Sequence, residues 1–537
     1  MESRYEMKMT KPYYALSLAI VGTAAQHVAF DGGDEVPAAL QLLRGGGGVH
    51  VQDVLSTSTK ATAEKHSDSA TIATTTKQTT KKVQTFDLKE NITLTLSSAE
   101  VDKNFCDPSS PLSLAGYMNV KGSQFDTEND KNLFYWFFEK RTTSQLPVGF
   151  DVGGPGKGKR SNGETIPLVI WLTGGPGCSS SLALLTENGP CKVNKDGATT
   201  NVNPYSWTEA AHVLWLDQPA NNNDMNEEMI SEDAYYFLQA WFKSEDGRKY
   251  KDAPLFIVGE SYGGHYAPAI AHRIWTGNNN LKDGLDKLNL RGLAVGNGLT
   301  QPEEQFKWYA EMAYKNSHNM PVISEETYYE WKAAEQKCVT SLHQCNQSDD
   351  AHSAFACNVG NLLCGAIMKD YTKLGLNPYD ISKLCDDHPL CYDFSNVEKF
   401  MNNETTKRAL HVDGHNPTWE TCNDALNNRF TVDKMKNFGP YVADLLNNGI
   451  PALIYAGDLD FICNYLGNQA WTYKLDWKHT ENFQAAELKD WNNGGGLVRT
   501  SYGLTFLQVF DAGHMVPSDQ PEHALQMITL FLTGESF

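Results

Sequence analysis

Gly259-Glu260-Ser261-Tyr262-Gly263 sets a serine between glycines, directly after the apolar run 255–258 and before a segment with helical patterning. A strand that turns sharply into a helix lifts such a serine above the sheet edge, and only small neighbours leave room for the strained turn. A serine hydroxyl is a weak nucleophile, so a histidine to take its proton and a carboxylate to orient that histidine must come from elsewhere. His514, in Ala512-Gly513-His514-Met515-Val516-Pro517 after the run 506–510, is the expected base. His265 is nearer in sequence, but four residues into the expected helix it reads as a packing or polar surface residue. For the acid, Gly457-Asp458-Leu459-Asp460 follows the run 453–455 and offers two carboxylates. Spacing leaves both open, the other being a loop cap. The oxyanion of an acyl-transfer reaction needs backbone N–H donors. One is expected from Tyr262, the other from Gly175 in the turn Thr173-Gly174-Gly175-Pro176-Gly177. That turn lacks the GxGxxG spacing of a dinucleotide site, and Pro176 disfavours it further.

The elements that must hold these residues are short apolar runs ended by glycine or turn residues, at 133–138, 168–172, 212–216, 255–258, 293–295, 453–455 and 506–510. Alternating with helical patterns such as 231–242 and 266–275, they predict an α/β-hydrolase fold: a mostly parallel central sheet with helices on both faces. The stretch 301–438 lacks strand signals, carries amphipathic helix-like patterns and holds the cysteines from Cys338 to Cys422, so it reads as an inserted helical cap stapled by disulfides. The expected layout is a signal peptide at 1–25, a propeptide or low-complexity segment at 26–100, and hydrolase core at 101–300 and 439–537 around the cap. The Gly- and Lys-rich stretch 149–164 reads as an exposed loop.

Residues Arg4, Lys8 and Lys11, the apolar stretch 15–21 and Thr23-Ala24-Ala25 have the order of a secretory signal. The apolar stretch is well short of the roughly 20 residues of a membrane span, and no later stretch reaches that length. The formal net charge of −20 and the lack of a basic stripe argue against nucleic acid as a partner, and fit solubility in an acidic compartment. Eleven cysteines behind a signal peptide imply disulfides with one thiol left over. Asn91, Asn346 and Asn403 begin glycosylation sequons. No metal cluster or phosphate loop calls for a metal or another cofactor.

Taken together, Trp171-Leu172-Thr173-Gly174-Gly175-Pro176-Gly177-Cys178-Ser179-Ser180, Gly259-Glu260-Ser261-Tyr262-Gly263-Gly264, Asp460-Phe461-Ile462-Cys463-Asn464 and Gly513-His514-Met515-Val516-Pro517 resemble the serine carboxypeptidase family, that of the yeast vacuolar carboxypeptidase and cathepsin A, from about residue 105 onward. The resemblance implies a catalytic set of Ser261, Asp460 and His514. It also implies recognition of a peptide's C-terminal carboxylate by Glu187 and Glu260, with Thr173 and Gly174 beside them. A carboxyl group donates a hydrogen bond to a carboxylate only when protonated, so such a site works best in acid. The sequence departs from the family where an asparagine is usual at Thr173, and again at Asn221-Asn222-Asn223-Asp224-Met225 after Leu216-Asp217-Gln218-Pro219-Ala220.

The resemblance further implies the pairs Cys178–Cys422, Cys338–Cys364, Cys345–Cys357 and Cys385–Cys391, with Cys463 the free thiol beside the site. Cys106 and Cys191 then remain as a fifth pair. Tyr262, Ile462, Cys463 and Met515 are candidates to line the pocket for the residue on the acyl side of the scissile bond, which favours apolar side chains. The expected substrates are peptide or protein C-termini, met by a monomer or homodimer in the secretory pathway, in a vacuole or lysosome or outside the cell. An acyltransferase on the same fold and a non-catalytic binding scaffold are the competing readings.

Overall fold

In a computed structural model, the protein is described over residues 81–537, apart from 89–91, 124, 126–130, 148–164, 219–223, 386–387, 389 and 413–417. The signal-peptide assignment, the loop at 149–164, Asn91 and Asn221 to Asn223 lie outside the described residues.

The strands in chain order are β1 (Lys82–Leu88), β2 (Ile92–Glu100), β3 (Ser113–Lys121), β4 (Lys131–Phe138), β5 (Leu168–Leu172), β6 (Cys191–Val193), β7 (Thr200–Val202), β8 (His212–Leu216), β9 (Leu255–Glu260), β10 (Leu290–Gly296), β11 (Leu376–Asn377), β12 (Asp380–Leu384), β13 (Ala452–Gly457), β14 (Lys489–Trp491), β15 (Gly496–Ser501) and β16 (Leu504–Val509). Twelve form one sheet in the order β1-β2-β3-β4-β8-β5-β9-β10-β13-β16-β15-β14. From β8 to β16 the neighbours run parallel. Antiparallel arms extend both edges, β1 to β4 on one side and β15 with β14 on the other.

The parallel centre is buried on both faces, which is why its strands read as unbroken apolar runs. Leu168, Ile170 and Leu172 of β5 join one core cluster, while Val169 and Trp171 join the cluster on the opposite face. The first cluster lies under the helices Glu227–Lys243 and Gly263–Asn279, which contribute Phe237, Trp241, Tyr266 and Ile270. The second lies under the C-terminal helix Pro521–Thr533, through Leu525 and Ile528.

Two expectations need correction. Folded structure begins within the segment assigned to a propeptide at 26–100, since β1 and β2 belong to the main sheet. Ile92-Thr93-Leu94-Thr95-Leu96 alternates with the two-residue period of a strand, and threonine suits its half-exposed face. The preceding Thr- and Ser-rich composition masks that period. The insertion at 301–438 is not wholly helical either. Its long helices Glu325–Cys345 and Ala351–Thr372 pack together through Cys338–Cys364 and Cys345–Cys357, but they are followed by the β11–β12 hairpin.

The remaining disulfides are Cys106–Cys191, Cys178–Cys422 and Cys385–Cys391, and Cys463 is a buried free thiol. Four of the five pairs are those the resemblance implies, and Cys106–Cys191 is the pair that remained. Asn403 caps the helix Glu404–Ala409 through its side-chain oxygen alone, whereas Asn346 Nδ2 donates to Leu342 O and Met435 O at 2.9 Å each. A glycan on Asn346 would replace one of the two Nδ2 hydrogens and so cost one of these bonds.

Lys131, fully buried at the start of β4, pairs with Asp224 and Asp233 at 2.9 and 2.7 Å. This anchors the end of the segment that departs from the family pattern.

Leu94 is fully buried in the core cluster beneath the helix Glu227–Lys243. Leu94→Ala should therefore cost about 2–5 kcal/mol in denaturant unfolding, as for other buried leucines. A change within about 0.5 kcal/mol would mark the segment as a dispensable tail.

Candidate active site

Ser261 follows β9 with φ +62°, a conformation L-residues rarely adopt, and the surroundings hold it there. Its N–H donates to Gly296 O at 3.1 Å, and its carbonyl accepts from Gly264 N and Leu299 N at 2.9 Å each. A Cβ on Gly259 would lie 2.4 Å from Gly263 O, so the turn closes only with glycine at its start.

β9, β10, β13 and β16 are consecutive neighbours in the sheet, and their C-terminal ends carry Ser261, Asn297, the 458–460 loop and the 510–514 loop. The last of these folds back over β13. Leu459 N donates to Ala512 O at 2.9 Å, and a Cβ on Gly457 would lie 2.2 Å from Gly513 O.

Asp460, with no exposed surface, faces His514 Nδ1 through Oδ2 at 2.7 Å. The same oxygen accepts from Asn297 Nδ2 at 2.8 Å, and Oδ1 accepts from Ile462 N at 3.2 Å. Asp458 is turned elsewhere, to His318 Nε2 at 2.9 Å, Asp511 N at 2.9 Å and Ser317 Oγ at 3.2 Å. Geometry thus separates two carboxylates that spacing leaves equivalent. His265 is buried rather than on the surface: its ring bonds to Leu299 O and Asp433 O, and burial pushes it down to about 4.

The glycine turn lies against the serine. A Cβ on Gly174 would come within 2.3 Å of Tyr262 N and 2.8 Å of Ser261 Cβ. Neither Gly175 N–H nor Tyr262 N–H donates to a protein acceptor among the described residues, so both are available to a developing oxyanion. Thr173 is buried, with its Oγ1 accepting from Trp171 Nε1 at 2.9 Å and its N–H donating to Ser180 Oγ at 3.0 Å. Its hydroxyl proton has no acceptor among the described residues. The Tyr262 phenol donates to Asp433 Oδ2 at 2.5 Å, and its ring stacks on His265 with centroids 4.5 Å apart.

Glu187 caps the helix Ser180–Thr186 and Glu260 ends β9, and their carboxyl groups meet within hydrogen-bonding reach. Burial pushes Glu187 up to about 7, opposed by the hydrogen bond from Glu260. Glu260 rises well above the carboxylate range through burial and the Glu187 charge. Burial and mutual repulsion thus favour a protonated carboxyl within this pair. One oxygen of each, Glu187 Oε2 and Glu260 Oε2, is buried without a hydrogen-bond partner among the described residues.

The donor atoms of Asp460, Cys463 and His514 lie within 4.8 Å of one another. Burial and the neighbouring Asp460 raise the Cys463 thiol well above its ordinary range, which keeps it protonated and a poor metal ligand. Ile462, Cys463 and Met515 adjoin Asp460 and His514 along their loops, while Tyr262 stands on the oxyanion side.

The inserted hairpin holds both loops. Phe461 N and Ile462 N donate to Pro378 O, Ile381 N to Leu459 O, and His514 N to Tyr379 O at 2.8 Å. Asn297, Asp433 and this hairpin escape sequence reasoning. The signal for Asn297 is an asparagine between glycines at a strand end, where its φ of +41° fits a residue that tolerates the left-handed region.

Fold and strand-end chemistry together place the chain among the α/β hydrolases. A model of the serine carboxypeptidase family matches residues 106–534. The chain is 36% identical over 435 residues to Carboxypeptidase Y of Komagataella phaffii, an alignment spanning 78% of this chain and 76% of that protein. It is 36% identical over 436 residues to Serine carboxypeptidase-like 48 of Arabidopsis thaliana, spanning 78% of each. A solved prohormone-processing carboxypeptidase from Saccharomyces cerevisiae superposes with a TM-score of 0.66 at 25% identity, over 80% of this chain and 95% of that one. The chain belongs to the serine carboxypeptidase family, and its enzyme class is serine-type hydrolase.

Asn297→Ala removes a neutral donor from a buried carboxylate and leaves His514 less firmly oriented. We expect peptidase kcat/KM to fall about ten- to hundredfold, mainly in kcat. Steady-state kinetics on an N-blocked dipeptide, with circular dichroism to verify folding, provide the check.

Proposed function

We propose that the chain releases C-terminal amino acids from peptides through an acyl-enzyme on Ser261, most efficiently in acid. Ser261 Oγ attacks the last peptide carbonyl while His514 accepts its proton, and the oxyanion is held by the N–H groups of Gly175 and Tyr262. His514 then gives that proton to the leaving amino acid. Water, deprotonated by His514, attacks the ester, freeing the shortened peptide and returning the proton to Ser261. Asp460, itself held by Asn297 and Ile462 N, steadies the imidazolium.

The observation that carries the exopeptidase reading is the Glu187–Glu260 pair, one residue from the nucleophile and with an unpartnered oxygen on each carboxyl. A protonated carboxyl beside a carboxylate acceptor site selects a substrate that ends in a carboxylate. The Thr173 hydroxyl supplies a further donor where the family usually has an amide. Disulfides support residence in an oxidising compartment, and we place the protein on the secretory route, in a vacuole or lysosome or outside the cell. Among the described residues no helix is long and apolar enough to cross a membrane.

Release of C-terminal amino acids from N-blocked dipeptides should be strong below about pH 7, fall above it, and vanish in Ser261→Ala. An amide donates at every pH, so Glu187→Gln should lower activity in acid yet flatten its alkaline decline. An unchanged alkaline limb would remove the pair from carboxylate recognition. The same raised group sets a stability trend. Between the ordinary carboxylate value and about 7 the folded chain holds a proton that the unfolded chain has lost, so stability should fall as pH rises through that window. Thermal unfolding across the window, compared with Glu187→Gln, measures it.

A further inference from the structure

A second couple of buried carboxyl groups, Asp433 and Glu227, adjoins the residue that supplies an oxyanion donor. Asp433, near the end of the insertion, accepts the Tyr262 phenol on Oδ2 at 2.5 Å and Glu227 N on Oδ1 at 3.3 Å. Its backbone carbonyl faces His265 Nε2 at 3.1 Å, and the other ring nitrogen of His265 bonds to Leu299 O. Leu299 N in turn donates to Ser261 O. The Tyr262 ring stacks on His265 and meets Tyr266 and Phe430 edge to face. Tyr266 reaches the glycine turn, its phenol accepting from Gly177 N at 3.3 Å.

Glu227 opens the helix Glu227–Lys243, two residues past the segment that departs from the family pattern, and is 2% exposed. Both of its carboxyl oxygens are buried without a hydrogen-bond partner among the described residues. The charges that act on it are those of Asp433 and Asp224, and its own charge is felt by the phenols of Tyr262, Tyr266 and Tyr441. The nearby cations are engaged elsewhere. Lys131 pairs with Asp224 and Asp233, Lys434 donates to Asn427 Oδ1, and Lys436 donates to Cys345 O, Ser348 O and Asp349. Burial, and after it the Asp433 and Asp224 charges, therefore lift Glu227 well above the carboxylate range. Burial lifts Asp433 to about 6, opposed by the bonds from Tyr262 and Glu227 N and by the Lys436 charge.

Ser261 keeps its φ of +62° only while its surroundings over-determine it. Tyr262 is the next residue, and a Cβ on Gly174 would stand 2.3 Å from its nitrogen, so the donor and the glycine turn have little room to shift independently. Resting on the acyl-enzyme reading, we propose that Asp433 and Glu227 are positioning residues of the oxyanion hole. With Glu227 neutral, Asp433 holds the Tyr262 phenol and so fixes the N–H beside Ser261; with Glu227 ionised, the two carboxylates repel and that hold is lost. Acid then serves the enzyme twice, in recognition of the terminal carboxylate and, separately, in stabilising the oxyanion.

An N-blocked amino acid methyl ester presents no terminal carboxylate to Glu187 and Glu260, so its hydrolysis reads the hole apart from that pair. In the wild-type chain, kcat for the ester should fall about tenfold from its optimum to about pH 8.5, with KM changed less than about twofold. A glutamine cannot ionise, so in Glu227→Gln the same two kcat values should agree within about twofold. Asp433→Asn turns an amide hydrogen toward one of the two donors, and should lower kcat about tenfold at every pH with KM little changed. A wild-type chain without the alkaline fall, a fall that persists unchanged in Glu227→Gln, or an Asp433→Asn chain with wild-type kcat overturns the proposal. Should circular dichroism show that Glu227→Gln does not fold, Glu227→Met, apolar and uncharged, takes its place.

Ser261→Ala separates this proposal from the reading beneath it. Ester hydrolysis that this variant retains, or that the wild-type chain lacks at every pH, defeats the acyl-enzyme on Ser261. Hydrolysis that needs Ser261 but declines identically in Glu227→Gln defeats the role of Glu227 and Asp433 alone.

Discussion

A carboxylate with no exposed surface cannot stand in a protein interior unless donors surround it, and Asp460 obtains its donors from distant parts of the chain. Asn297 Nδ2 arrives from the end of β10, His514 Nδ1 from beyond β16, and Ile462 N from its own loop. These groups converge because β10, β13 and β16 are neighbours in the sheet and parallel, so their ends open on the same side. Moving one strand would strip a partner from a buried charge. The arrangement that orients the histidine is therefore also what makes the carboxylate tolerable.

The insertion belongs to the same system. Its hairpin is bonded to the backbone on either side of Asp460 and to His514 N, and its later segment leans on the glycine turn and on Tyr262. Cys178–Cys422 fixes that segment to the turn covalently. The sheet supplies direction to the reacting groups, and the insertion supplies their confinement. The glutamate pair adds a different kind of order: two carboxyl groups that would repel when both ionised are joined by one proton.

The parallel core was legible in the sequence because burial on both faces turns strands into short apolar runs with glycine ends, as at 168–172 and 255–258. The antiparallel arms were harder to see. β2 alternates threonine with leucine and β1 mixes polar and apolar residues, so only part of each strand is apolar, and composition conceals a period of two. Ser261 and His514 stood out because each follows such a run. Asp458 and Asp460 share one loop and one residue type, so spacing is silent on which faces the histidine. Only the path of the loop over β13 distinguishes them. Asn297 and Asp433 act by meeting partners far away in sequence, Asp460 and Tyr262; the glycines around Asn297 mark a turn without naming its partner, and no local pattern marks Asp433. Glu187 and Glu260 were found through family resemblance, and burial explains why their carboxyls can remain protonated.

β10 and β13 lie side by side in the sheet, yet the whole insertion separates them along the chain. During synthesis the ribosome therefore delivers β1 to β10 well before the strand that covers the open side of β10. Until β13 and β16 emerge, that side presents unpaired backbone groups and apolar side chains, a template for association with other nascent chains. Cys178 must likewise wait for Cys422. Closure of the sheet therefore waits for the last strands, whose arrival both covers the edge and completes the catalytic loops.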